Sequence, residues 1–371
     1  DPTMKVLQVL PELNSGGVER GTLELAQHLV EQGHESLVIS GGGRLVTQLE
    51  QNGSRHITLP VGKKSLRTLK LIRPIRRLLE ELQPDILHLR SRVPAWVCWL
   101  AWRKLPETQR PRIVTTVHGF YSVSRWSQVM CRGERVICVS DSIRDYVQTN
   151  YPSTNGDLLR VIPRGVAPTT YPYGFEASEE WTRQFHGEFP ETRGKSLLTL
   201  PGRITRLKGH EDLIHIMSAL CKNPKIHGLV VGGAHPKKAA YLDELHQKVA
   251  EAGLSDRITF TGNRDDLREI LSISHLVLSL TRQPESFGRT TLEALAMGIP
   301  VAGYAHGGVA EQLDALFPEG RLPALDPVAA TPIIKRLMEH TPAVRKPNPF
   351  TLDKMLEDTV AVYKELLSDS D

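Results

Sequence analysis

Two carboxylates stand with seven residues between them in Glu285-Ser286-Phe287-Gly288-Arg289-Thr290-Thr291-Leu292-Glu293. Carboxylates are strong acceptors for hydroxyl groups, and a glycine between them lets backbone approach a ligand closely. The apolar run His275–Leu280 before them reads as a buried strand, and Leu292, Leu295 and Ala296 after them recur at helical spacing until Gly298 and Pro300 end the pattern. The first helical turn, near Phe287 to Thr290, then offers free N–H groups and the positive end of a dipole, which suit phosphate. Taken as continuous helix, the pair would be separated by about 12 Å. Two glutamates at this spacing also arise as solvated surface residues. The framing strand and the loop glycine favour a ligand loop.

Other groups suited to an anion follow strand ends. Gly202-Arg203 and Lys208-Gly209 come after the strand Ser196–Leu200; two loop cations are commonly just solvated, but a diphosphate needs such charges. Gly232-Gly233 and Thr261-Gly262-Asn263-Arg264 also follow apolar strands. In the first half, Ser15-Gly16-Gly17 opens a helix without forming G-x-G-x-x-G, so the dinucleotide fingerprint is absent and a plain tight turn is an equal reading. His118 follows the strand Arg112–Val117 directly, where open α/β sheets place ligands, although a lone histidine also packs structurally. The four cysteines, Cys98, Cys131, Cys138 and Cys221, are scattered with no C-x-x-C pair, which points away from structural zinc or a disulfide framework.

The elements that must position these groups alternate between strand and helix. Lys5–Leu10, a helix from Val18 to Gln32 and a strand from His34 to Ser40 form a βαβ unit, and Pro84–Leu89, Arg112–Val117 and Arg135–Val139 read as further buried strands. Ser140 reads as a helix cap. After a region rich in Pro, Tyr, Gly and Glu (167–194), the rhythm resumes with strands at 196–200, 226–232, 258–261 and 275–280, separated by helices at 210–221, 238–252 and 265–273. A last amphipathic helix spans about Leu352 to Leu367. This rhythm predicts parallel sheets.

The chain of 371 residues is long enough for two such domains, and 24% charged content is ordinary for a globular protein. Residues 1–175 carry 23 Lys+Arg against 15 Asp+Glu, and residues 176–371 carry 23 against 27, so the excess of positive charge lies in the first half. Anionic partners are expected there. No nucleic-acid-binding signature accompanies the charge, so nucleic acid is not expected as a partner.

The E-x7-E stretch resembles that of retaining glycosyltransferases of the GT-B fold, family 4, of the bacterial lipopolysaccharide and surface-glycan assembly type. The Ser15-Gly16-Gly17 loop, the Pro84–Leu89 strand, Val117-His118-Gly119, the G-R…K-G element and Gly307-Gly308 with Glu311 extend the resemblance over nearly the whole chain. It implies an α/β architecture of two Rossmann-like domains facing across a cleft. Residues 1–170 would form the acceptor-side domain, 171–350 the nucleotide-sugar domain, and 351–371 a helix crossing back to the first. It implies sugar transfer from a nucleotide-diphosphate sugar, a UDP-sugar foremost, to a hydroxyl of a glycan or lipid-linked acceptor. Arg203 and Lys208 would hold the diphosphate, Glu285 the transferred sugar and Glu293 the ribose. Phe287, Gly288, Arg289 and Thr290 would line the donor, Arg264 would touch the base, and Gly16, Gly17 and His118 would close the site from the other domain. No cofactor or metal is expected, since side-chain cations and a helix N-terminus offset the leaving-group charge. A nucleotide-sugar 2-epimerase or a silent sugar-nucleotide binding protein shares the fold.

The chain opens without a signal peptide and no apolar run reaches membrane-spanning length, so the expectation is a cytoplasmic protein. Lys63, Lys64, Arg67, Lys70, Arg73, Arg76 and Arg77 flank an apolar stripe of Leu66, Leu69, Ile72, Ile75, Leu79 and Leu82. Arg90, Arg92, Trp96, Trp99, Trp102, Arg103 and Lys104 add cations and aromatics. A surface helix packing on the sheet explains the stripe alone; the concentration of charge predicts attachment to an anionic membrane face.

Overall fold

The computed structural model describes residues 2–369, which divide into two compact units, residues 2–163 with 353–369 and residues 164–352. In the first unit, β1 (Lys5–Val9), α1 (Gly17–Glu31), β2 (Glu35–Ser40), α2 (Val46–Gln51) and β3 (Arg55–Thr58) run one way from the sheet centre. Then α3 (Ile72–Leu82), β4 (Ile86–Leu89), α4 (Arg92–Arg103), β5 (Arg112–Val117), β6 (Arg135–Cys138), α5 (Asp141–Asn150) and β7 (Leu159–Val161) run the other. The strands are all parallel in the order β3-β2-β1-β4-β5-β6-β7, so the winding direction reverses between β1 and β4. Such a switch point opens a crevice at the carboxyl ends of the two strands.

The sequence explains the burial. The strands are near-continuous apolar runs because helices cover both faces of a parallel sheet, and α1 buries Thr22, Leu25, Ala26 and Leu29 at helical spacing. The last helix, Leu352–Ser368, also packs on this sheet. Tyr363 bonds His88, and Glu365 pairs with Arg135 at 3.1 Å and with Arg160.

The second unit comprises α6 (Glu179–Glu188), β8 (Ser196–Pro201), α7 (His210–Leu220), β9 (Ile226–Val231), α8 (Ala239–Glu251), β10 (Ile258–Phe260), α9 (Leu267–Ser272), β11 (Leu276–Ser279), α10 (Arg289–Ala296), β12 (Val301–Tyr304), α11 (Gly307–Leu316), β13 (Arg321–Leu322) and α12 (Pro327–Glu339). Its six parallel strands order as β10-β9-β8-β11-β12-β13, with the switch point between β8 and β11. Residues 164–170 fall in this unit, and Val166 bridges Thr351. Within the Pro- and Tyr-rich stretch, Gly174 N–H bonds the Met297 carbonyl and Tyr173 the Val344 carbonyl, which ties it to the second core.

Three local expectations change. The helix after Glu285 begins only at Arg289, because Gly288 at φ 88° closes a loop in the left-handed region. Glu285 and Glu293 are therefore not separated by eight residues of continuous helix. Residues 66–71 form a 3₁₀ helix that gives way to α3 at Ile72, with Pro74 in its first turn, where a missing N–H costs nothing. Ile75, Leu79 and Leu82 are buried as expected, but Leu66 and Leu69 are 84% and 47% exposed because they precede the α-helical register. Finally, Arg90 is buried rather than interfacial. Trp99 lies under the Arg103 and Arg132 guanidiniums and Trp102 under that of Arg110, both packed on the core.

Candidate functional site

In the second unit the loops after β8 and β11 meet at the switch point. Arg282 N–H bonds the Leu207 carbonyl at 2.8 Å, and a Cβ on Gly209 would lie 2.2 Å from the Leu280 carbonyl oxygen. Only glycine, here at φ 85°, lets these loops pack so closely. The contact brings Lys208 Nζ to 3.0 Å from Glu285 Oε1, with the two side chains 34% and 30% exposed. The pair borders a pocket of about 510 Å³, also lined by Arg203, Thr205, Arg206, Lys238, Tyr241, Thr281 and Gln283. Four cationic residues, Arg203, Arg206, Lys208 and Lys238, thus line the pocket with one carboxylate residue.

These cations are not equivalent. Arg206 stacks over Tyr241 at 4.4 Å and pairs with Glu244 at 2.7 Å. Arg203 is exposed and makes no side-chain hydrogen bond or ion pair among the described residues. An exposed, uncommitted arginine beside a lysine can grip an oxyanion with its planar fork. Lys238 follows Gly232-Gly233 and a strand end, so the rule that singled out Arg203 would also have found it.

Glu285 is held through its backbone. Its carbonyl accepts the Gly308 N–H at 2.8 Å, and a Cβ on Gly308 would stand 2.4 Å from Phe287 Cα. Buried Gln312 donates to the carbonyls of Phe287 and Gly288, the latter at 2.8 Å, and accepts from Thr291 at 2.7 Å. The Phe287 ring is in the core, edge-on to Phe350, so only its backbone faces a ligand loop. Thr290 is half-buried on α10, Arg289 is exposed, and its Nε lies 3.3 Å from Oε1 of the buried Glu293.

The loops after β8, β9 and β10 also converge. Gly232 N–H bonds the Gly262 carbonyl at 3.1 Å, and a Cβ on Gly232 would meet the Gly202 carbonyl at 2.0 Å. Arg264 nevertheless turns away. Its guanidinium is bidentate to Asp266 at 2.9 and 3.0 Å, pairs with Glu188 at 2.9 Å, and lies over Phe185 and Phe189. Those carboxylates raise its pKa, and the guanidinium in turn holds Asp266 below the usual carboxylate range. Behind Lys208, the ring of His210 is buried, and desolvation drives its pKa down to about 4.

In the first unit, Gly16 takes φ 129° before α1, and a Cβ there would stand 2.5 Å from Glu19 Oε2. Gly17 has open space. The loop borders a small pocket with Arg20 and Arg44, the latter tied to Asn14. His118 is half-buried at the end of β5, its backbone N–H directed at Tyr121 Oη 3.3 Å away. No cluster of three or more metal-ligating side chains occurs among the described residues.

Two parallel sheets, each with ligand-type groups at its switch point, define a two-domain α/β protein of the GT-B class. Residues 15–170 match the family model for Glycosyltransferase Family 4, and residues 182–323 that for Glycosyl transferases group 1. The chain carries both glycosyltransferase domains in that order. The chain of a glycosyltransferase from Rickettsia africae superimposes with a TM-score of 0.84 at 28% identity, covering 98% of this chain and 99% of that one. Anabaena HepE in complex with UDP and glucose shares the fold with a TM-score of 0.73 at 20% identity, covering 99% of each chain. A subunit of the human phosphatidylinositol N-acetylglucosaminyltransferase is 24% identical over 319 residues, 81% of this chain; the match spans 61% of the human protein.

Proposed function

We propose that the chain is a retaining, metal-independent glycosyltransferase that moves a sugar from a nucleotide-diphosphate sugar, a UDP-sugar foremost, to a hydroxyl of a glycan or lipid-linked acceptor in surface-glycan assembly of the lipopolysaccharide core type. The observation that carries this reading is the Lys208–Glu285 pair at the β8/β11 switch point, beside the uncommitted Arg203. The cations take the diphosphate and the charge that develops on it as the glycosidic bond breaks. Glu285 accepts hydrogen bonds from the transferred sugar, and Glu293 serves the ribose. The departing phosphate oxygen accepts the proton of the attacking hydroxyl, so no side-chain nucleophile is required. The UDP and glucose bound by HepE support the choice of donor class.

The test is mass spectrometry and proton NMR of products after incubation with UDP-, GDP- and ADP-sugars and a panel of glycan and lipid-linked acceptors, with and without EDTA. A glycosylated product with retained anomeric configuration, formed equally in EDTA, is expected. An epimerised donor without acceptor, or no product at all, would favour the epimerase or the silent binder. Loss in EDTA restored by manganese would end the metal-independent scheme.

The acceptor reading extends to the membrane. Exposed Leu66 and Leu69 border an apolar groove of about 360 Å³ with Trp96, Leu100 and Trp126, and Lys63 and Lys64 stand at its rim. No helix among the described residues is long and apolar enough to cross a bilayer. Peripheral docking on an anionic leaflet uses such a combination of apolar and basic groups. Co-sedimentation with anionic vesicles should fall with salt and in Leu66→Glu/Leu69→Glu; equal recovery with neutral vesicles removes this part.

A further inference from the structure

At the switch point of the first sheet stands a cation with no counter-charge among the described residues. Arg90 directly follows β4 and is only 4% exposed. Its Nε donates to Oε1 of the buried Gln8 on β1 at 2.9 Å. Gln8 is fixed in turn, because its Nε2 lies 3.3 Å from the Thr22 carbonyl. No carboxylate among the described residues pairs with Arg90. Other packed arginines of the unit differ: Arg112 has Glu134 at 2.8 Å, and Arg135 has Glu365 and Asp369. Burial draws the pKa of Arg90 downward, partly opposed by the nearby Tyr363 hydroxyl. A buried unpaired charge is expensive and is kept where something else supplies the opposite charge.

The next residues add donors. Ser91 is the extended N-cap residue of the twelve-residue helix α4, and its side chain caps none of the first-turn amides. That turn presents the N–H groups of Arg92 and Val93 and the positive end of the helix dipole. Arg92 is itself committed, over Tyr121 at 4.8 Å and to Ser127 at 3.1 Å. The place is the carboxyl edge of β1 and β4, where a doubly wound sheet opens its crevice.

We infer that Arg90 and the open first turn of α4 form an oxyanion site in the first unit, and that it holds a carboxylate or phosphate group of the acceptor. The inference rests on the transferase reading above for the word acceptor, but not for the anion site itself.

The test is thermal unfolding of the full chain in an Arg203→Ala/Lys208→Met background, so that the second unit's cations do not contribute. Inorganic phosphate and malonate are compared with sodium chloride at equal ionic strength. Saturable stabilisation by one of the two anions is expected, and the stronger one identifies the acceptor group as phosphate or carboxylate. Adding Arg90→Met should weaken the apparent anion affinity tenfold or more while leaving the anion-free protein at least as stable, and Arg90→Lys should retain part of the response. An undiminished response in Arg90→Met overturns the inference, as does the absence of any response when Arg90 is present. Low anion-free stability of both Arg90 variants also overturns it, by making the residue a structural strut. UDP titration of the otherwise native chain separates the two readings. UDP binding with no Arg90-dependent anion effect sinks only this site, whereas the anion effect without UDP binding sinks only the donor assignment.

Discussion

Replacement of Lys208 by methionine separates a ligand-binding role from a structural one, because the two predict effects of different size. The Lys208–Glu285 pair is about a third exposed on each side, so solvent screens it. Half-exposed pairs contribute about 0.2–1 kcal/mol, and methionine keeps most of the apolar stem in place. The stability of Lys208→Met should therefore change by less than about 1 kcal/mol in urea unfolding. A nucleotide diphosphate held by the same ammonium loses a charge-assisted hydrogen bond worth about 1.5–3 kcal/mol, or roughly tenfold to hundredfold in affinity. Calorimetry with UDP should show that loss, while free uridine binds unchanged. Glu285→Gln should behave oppositely. It frees Lys208 from its carboxylate partner, so UDP affinity should hold or rise while sugar transfer falls. UDP affinity of Lys208→Met within twofold of the native value, together with a stability loss well above 1 kcal/mol, would refute the reasoning and make the lysine a strut between the β8 and β11 loops.

Three further outcomes are expected. Arg264→Met should lower stability by about 1–3 kcal/mol by leaving Asp266 with only the Trp181 indole N–H, with UDP affinity nearly unchanged, since every guanidinium nitrogen already has a protein partner; a large affinity loss would return the residue to the nucleotide. His210 has a folded pKa of about 4 against an ordinary value of 6.5, so the unfolded chain binds the extra proton first. Its contribution is fully present above pH 6.5 and is lost as pH falls toward 4. The native protein should thus lose about 2 kcal/mol more than His210→Gln between pH 7 and pH 5 in paired urea titrations, and parallel curves would contradict this. Burial pushes the Cys98 and Cys138 thiols up to about 12, so native-state alkylation followed by peptide mapping should modify Cys221 well before either.

Much of this was legible because a parallel sheet buried on both faces writes itself in apolar runs, and strand ends at glycines mark its ligand edge. Residues 112–117 form the strand read there, and Ser140 Oγ accepts the Ile143 N–H as the cap expectation requires. What was lost lacked that signature. β3 (Arg55–Thr58) has no fully buried position, and β13 is only two residues long. The 3₁₀ turn at 66–71 keeps leucines at a spacing that also fits an α-helix, so the exposure of Leu66 and Leu69 could not be read from periodicity. Arg264 sits in a nucleotide-like loop, yet the carboxylate that removes it from solution is two residues on, at Asp266, with Glu188 far away in sequence.

Arg90 is the instructive case, because the hint was present but scattered. Gln8, His88 and Thr116 are polar residues inside apolar strands, positions that cost free energy unless partners exist. Register places Gln8 opposite His88, and His88 Nε2 reaches Thr116 Oγ1 at 2.6 Å, so the three form one polar row across β1, β4 and β5. The row leads to the switch point and to Arg90. The second sheet repeats the arrangement with Lys208 after β8 and Glu285 after β11. There the protein supplies the counter-ion, and an arriving anion must compete with it, releasing Glu285 to accept hydroxyl hydrogen bonds. In the first sheet no described carboxylate neutralises the arginine. At equal concentration an oxyanion should therefore bind the first unit more tightly and stabilise it more, because there it removes the cost of an unpaired buried charge, whereas at Lys208 it must displace Glu285. Native-state hydrogen exchange with phosphate or malonate should register the larger protection gain at the amides following Arg90 in α4, and equal or greater gains confined to the β8 and β11 loops would show that the asymmetry has no energetic weight.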